Sequence, residues 1–134
     1  GPLALTGHSA GGHLVSRMLA PDMLPAEVAA RLAHVMPISP LSDLRPLMQT
    51  AMNADLGLDE AEARAESPIF QPRPEVPVTV WVGAEERPVF LDQSRWLAEA
   101  WRAGHIIDEG KHHFDVIDGL LDPDSAMVRR LLTL

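Results

Sequence analysis

Short apolar runs alternate along this chain with stretches in which apolar residues recur every three or four positions. Leu3-Ala4-Leu5-Thr6 is one such run, ending at Gly7, and Leu14, Val15, Met18 and Leu19 follow with the spacing of one helix face. The reading is strand, sharp turn, helix. Pro21 and Pro25 bracket a break, residues 26–32 predict a short Ala-rich helix, and residues 34–39 predict a second strand. Pro37 stands against that strand, because proline has no amide to give a sheet ladder. Six prolines between positions 40 and 77 predict an irregular excursion, carrying one or two small helices, with residues 59–66 the clearest of them. Val78, Val80 and Val82 mark a buried strand over residues 76–82, closed by Gly83. Residues 90–103 have helical spacing through Leu91, Trp96, Leu97, Ala100 and Trp101, with Gly104 placed as a helix-ending glycine. Residues 105–108 predict a last strand and 110–113 a loop, and Pro123 opens a final helix through Met127, Val128, Leu131 and Leu132. Strands alternating with helices predict an α/β fold, a mainly parallel sheet of about four strands flanked by helices. Trp81, Trp96 and Trp101 are expected in its core, and the 134 residues suit a single domain, 1–134.

Charge and composition narrow the partners. Nineteen acidic against eleven basic residues give a net charge of −8, which argues against nucleic acid or an anionic membrane as a partner. The absence of cysteine removes any thiolate nucleophile, disulfide framework or Cys-based zinc site. His105, His112 and His113 lack a recurring metal-ligand spacing, so no metal is expected, and no cofactor either.

The chemistry is carried by Gly7-His8-Ser9-Ala10-Gly11, a G-x-S-x-G string lying between a predicted strand and a predicted helix. At such a turn the serine backbone is strained, flanking glycines avoid clashes, and the hydroxyl is thrown out above the sheet beside a helix N-terminus. The Ala10 amide there can face a developing oxyanion. A serine hydroxyl needs a base, and the base needs an orienting group. Hydrolases of this type carry Ser, acid and His in that chain order. Glu85 and Glu86 lie just past the predicted third strand, and His112 and His113 lie in the loop after the fourth. His8 could line the pocket, whereas His13 and His34 are expected to be structural.

The chain resembles the α/β-hydrolases, and within them the kynurenine formamidase (arylformamidase) and esterase-like branch. The resemblance rests on five stretches of this sequence: Gly7-His8-Ser9-Ala10-Gly11-Gly12-His13-Leu14, Ser39-Pro40-Leu41-Ser42-Asp43-Leu44-Arg45-Pro46, Ser67-Pro68, Gly83 through Phe90, and His113-Phe114-Asp115-Val116. It implies Ser9 as nucleophile and His113 as base. It also implies Glu86, two positions before Pro88 and in place of the usual Asp, as the acid, with the Ala10 amide as one oxyanion donor. A small formamide or carboxylic ester is the implied substrate, N-formylkynurenine of tryptophan catabolism among them, in a cytoplasmic enzyme. The resemblance further implies that residues 1–134 form a C-terminal portion starting at the nucleophile strand, without the family's His-Gly-Gly oxyanion loop. An open edge at residues 3–6 then predicts self-association into a homo-oligomer. A general carboxylesterase and a non-catalytic hydrolase-like fragment lacking the oxyanion loop are the competing expectations.

Overall fold

A computed structural model describes residues 1–133. Four strands, β1 (Leu3–His8), β2 (Leu32–Ile38), β3 (Thr79–Gly83) and β4 (Gly104–Asp108), form one all-parallel sheet in the order β1-β2-β3-β4. Each strand reaches its neighbour by a right-sized crossover, so every C-terminal strand end opens on the same side. The helices are α1 (Ala10–Arg17), α2 (Ala26–Ala29), α3 (Asn53–Leu56), α4 (Glu60–Ala65), α5 (Pro88–Trp101) and α6 (Ala126–Leu131). No helix among the described residues is long and apolar enough to cross a membrane.

Strand alternation sends successive side chains to opposite faces, and the core divides accordingly. On one face Val35, Val78 and Val80 meet Leu97, Ala98 and Trp101 of α5, with Val15 and Leu19 packed against them. On the other, Met36, Ile38 and Trp81 meet Val116 and Met127. Burying a residue such as Leu97 completely stabilises the fold by about 1.5–3 kcal/mol.

Several expectations change on folding. Pro37 does lie inside β2, which has a neighbour on each side. The alternate residues Val35 and Ser39 turn their amides to that side, bonding the Pro77 carbonyl just before β3 and the Trp81 carbonyl within it at 3.0 and 2.7 Å. Pro37 falls at the position between them, so the missing donor thins the β2–β3 ladder and spares the β1–β2 ladder, whose register shifts between Leu3 and Ala4. Leu14 is 55% exposed, and α1 instead buries Gly12 and Ser16, because its approach to β2 is too close for a large side chain. Helix α5 ends at Arg102, which takes the left-handed conformation (φ 51), while Gly104 begins β4. Trp96 is half-buried, unlike Trp81 and Trp101. The final helix starts at Ala126 behind a Ser125 cap, and a 3-10 turn over Val116–Leu121, which no periodicity announced, precedes it.

The excursion between β2 and β3 has little regular structure, so buried polar groups hold it. Gln93 of α5, 1% exposed, accepts from the Ser42 and Asp43 amides on Oε1 and donates from Nε2 to the Asp43 carbonyl. Ser67 accepts the Leu44 amide and donates to the Ala63 carbonyl. Burial pushes the Asp43 carboxyl upward, but hydrogen bonds and charge from Arg45 outweigh this and hold it below the usual carboxylate range.

On β4, burial pushes the imidazole of His105 below its ordinary pKa, helped by the charge of Arg95 and opposed by Glu99. Its buried Nε2 has no partner among the described residues. A histidine that resists protonation when folded binds fewer protons than in the unfolded chain, so stability falls as pH drops below the unfolded value of ~6.5. We expect His105→Gln to lose less melting temperature than the wild type between pH 7 and pH 5. Parallel curves in thermal melts would refute that assignment.

Candidate active site

Three strand ends on the C-terminal side of the sheet bring the site together. Ser9 follows β1 directly and takes φ 58, ψ −112, a strained conformation for a residue with a Cβ. Its amide bonds the Ile38 carbonyl at 2.9 Å and its carbonyl accepts the His13 amide at 3.0 Å, so strand and helix clamp the turn from both sides. Ala10 opens α1, whose first amides have no partner within the helix.

The flanking glycines are not equivalent. A Cβ on Gly7 would overlap the Gly11 carbonyl, and one on Gly12 would come within 2.9 Å of the Pro40 Cα. One on Gly11 would meet nothing within 4 Å. The expectation that both glycines beside the serine are sterically required thus holds for Gly7 and fails for Gly11.

Glu86 lies past β3 with its side chain completely buried, and its carboxylate accepts three hydrogen bonds. Gly83 N–H donates to Oε2 at 2.6 Å, Ser39 Oγ–H donates to Oε2 at 2.5 Å, and His113 Nδ1–H donates to Oε1 at 2.6 Å. A carboxylate can only accept, so the His113 proton sits on Nδ1 and Nε2 is left as an acceptor. Ser9 Oγ–H donates to that Nε2 at 3.2 Å. Ser9, His113 and Glu86 therefore form one hydrogen-bonded chain.

His113 is held as closely as the acid. Its ring stacks on Phe90 at 3.9 Å and lies 4.6 Å from the His8 ring, and His8 Nε2–H donates to the His113 carbonyl at 2.7 Å. The loop bearing it is zipped to the end of β3, where the Ala84 and Glu85 amides bond the Asp108 and Lys111 carbonyls at 2.9 and 2.8 Å. A Cβ on Gly83 would collide with the same Lys111 carbonyl.

The neighbours left open by spacing separate clearly. Glu85 is exposed. His112 turns its Nδ1 to the Phe114 and Asp115 amides of its own loop, at 3.1 and 3.3 Å. His34 is structural as expected, accepting from Thr79 and donating to the Leu131 carbonyl. His13 caps the end of α4 through the Glu66 carbonyl. Gln93 carries structure here without having stood out in the sequence, whereas Ser39 begins and Phe90 ends stretches that carry the family resemblance, neither with a role assigned.

A cleft of about 650 Å³ opens at the other end of the sheet, between residues such as Arg73, Thr79, Arg102 and Arg130. It touches none of Ser9, Glu86 and His113. Open α/β sheets bind ligands outside the carboxyl ends of their strands, so the hydrogen-bonded chain and not this cleft is the candidate site. Among the described residues no cluster of three or more His, Asp or Glu could hold a metal ion.

The glycine contacts make a direct test. Gly7→Ala should lower stability by about 1–3 kcal/mol, the usual cost of overpacking, whereas Gly11→Ala should not lower it, since alanine is the better helix former. Thermal or urea unfolding of the two variants reads the difference. Equal losses would show that the elbow is crowded on both sides.

No family model matches the chain. It is 29% identical to the kynurenine formamidase of Danio rerio over 97% of its own length and 48% of that protein's, so it spans about half the length of the curated relatives it matches. Its backbone superposes with a TM-score of 0.96 on a candidate thioesterase from a Silicibacter species, 56% identical, covering 98% of this chain and 50% of that one. The carboxylesterase Cest-2923 of Lactobacillus plantarum, 20% identical, superposes with a TM-score of 0.64 over 90% of this chain and 50% of that one, a likeness of fold. The chain thus has the α/β-hydrolase fold, and over about half of their length it is similar to proteins named kynurenine formamidase.

Proposed function

We propose that this chain carries the nucleophile, base and acid of a serine hydrolase that cleaves a small formamide or carboxylic ester. The supporting observation is that His113 bonds Ser9 on one ring nitrogen and Glu86 on the other. In this reading Ser9 Oγ attacks the substrate carbonyl carbon while its proton passes to His113 Nε2. Glu86 holds the Nδ1 tautomer and balances the charge of the imidazolium. The Ala10 amide donates to the oxyanion of the tetrahedral intermediate, as one donor of the two or more that such sites use. Collapse expels the leaving amine or alcohol, which takes the proton from Nε2. Water then attacks the acylated or formylated Ser9, His113 again accepting the proton; the bond from Oγ to the carbonyl carbon breaks as His113 returns that proton to Ser9, and the carboxylic acid is released.

The name of the Danio rerio relative favours an aryl formamide such as N-formylkynurenine, whose anilinic leaving group is less basic than an alkyl amine. The esterase neighbours favour an ester, attacked by the same steps. A cytoplasmic setting belongs to the same proposal.

Ser9→Ala should remove fluorophosphonate labelling and lower turnover by at least about 10³-fold. His113→Ala should match it, while His112→Ala keeps most of the rate; Glu86→Gln should cost far more than Glu85→Gln. Assays of a formamide and a nitrophenyl ester on these five variants check the roles. Activity surviving in Ser9→Ala would remove the nucleophile, and loss in His112→Ala with retention in His113→Ala would move the base.

A further inference from the structure

Ser39 follows β2 as Ser9 follows β1, and it too has a positive φ, of 48°. That conformation suits glycine and is strained for any residue with a Cβ. The residue is completely buried, and its amide still bonds the Trp81 carbonyl of β3. The turn directs its hydroxyl onto Glu86 Oε2, beside the Gly83 amide that donates to the same oxygen.

We propose that Ser39 is a positioning residue for the hydrolytic site, fixing the Glu86 carboxylate so that Oε1 alone faces His113. This rests on the reading of Ser9 and His113 as nucleophile and base. The physical reason lies in the length of the glutamate. Its carboxylate turns freely about the last torsion, and its two oxygens are chemically equivalent. A single donor from Gly83 leaves room for that rotation, which would swing the acceptor away from Nδ1. Two donors converging on Oε2 remove the equivalence and lock the plane, and the second of them requires the strained backbone of Ser39. Ser39 is buried behind Glu86 and acts on His113 only through that carboxylate. It exchanges no proton during turnover.

Two substitutions separate this role from a structural one. Glycine accepts the backbone conformation without strain but supplies no hydroxyl; alanine keeps the strain and also lacks it. In the full chain, under conditions where Ser9→Ala abolishes ester hydrolysis, Ser39→Gly should melt close to the wild type, because relief of the backbone strain offsets the lost hydrogen bond. Its kcat should nonetheless fall about 10- to 100-fold, the scale of a hydrogen bond to a charged group, with KM unchanged. Ser39→Ala should show the same loss in kcat. Wild-type kcat in Ser39→Gly, or a change confined to KM, overturns the proposal. Loss of folded structure in both variants overturns it as well, by assigning the hydroxyl to stability. Activity persisting in Ser9→Ala would instead defeat the underlying hydrolase reading, an outcome read on a different variant.

Discussion

A fully buried carboxylate has to find donors for both oxygens, and Glu86 draws its donors from three strand ends at once. Ser39 comes from the end of β2, Gly83 from the end of β3 and His113 from the loop after β4. A hydrogen bond to a charged group contributes about 1.5–3 kcal/mol, so each of these donors holds its own strand end to the carboxylate. The carboxylate therefore ties the register of three parallel strands to the geometry of one site. The close approach of the Lys111 carbonyl to Gly83 belongs to the same constraint, since any side chain at position 83 would push the histidine loop away from the acid.

Two of the four non-glycine residues with positive φ among the described residues stand at the strand ends around Glu86. Ser9 and Ser39 follow adjacent strands and both have positive φ, each conformation costing on the order of 1–3 kcal/mol. Around them the fold is conventional: two apolar layers on a pleated sheet, with α1 and α5 on one face and the segment from Val116 to α6 on the other. The surrounding ladders hold the strained turns, with the Ser9 amide on Ile38 and the Ser39 amide on Trp81. Gly12, seated against Pro40, brings α1 close enough to β2 for the first turn of the helix to sit beside Ser9. The long excursion adds no regular layer, and its place is set by Gln93 and Ser67 through polar contacts.

The local rules that were readable in the chain are those in which a residue acts on its own backbone or on one face of its own element. Alternating valines marked β3, helical spacing marked α5, and Gly7 through Gly11 marked the elbow with its serine. The chain order of Ser9, a glutamate pair and a histidine pair was equally plain. Sequence spacing alone could not choose within those pairs, since adjacent residues differ only in which way the loop turns them. The family resemblance pointed to Glu86 and His113, and these are the two that the fold brings to Ser9, while Glu85 faces solvent and His112 braces its own loop.

Other features belonged to the tertiary structure alone. Pro37 is held inside the sheet by the amides of Val35 and Ser39, which keep the bonds to the β3 side on either side of its missing donor. Leu14 is turned outward because α1 faces the sheet with Gly12, Val15 and Ser16, and helical spacing does not say which face a close crossing will select. Gln93 and Ser39 have no local signature, since their importance lies in partners 50 and 47 positions away. Sequence by itself determined the elements, the order of the reactive groups and the strained turn at Ser9, all consequences of backbone sterics and periodicity. Which glutamate, which histidine and which buried hydroxyl meet at the strand ends was decided by the parallel crossovers, because only the packed sheet brings those distant backbones within hydrogen-bond range.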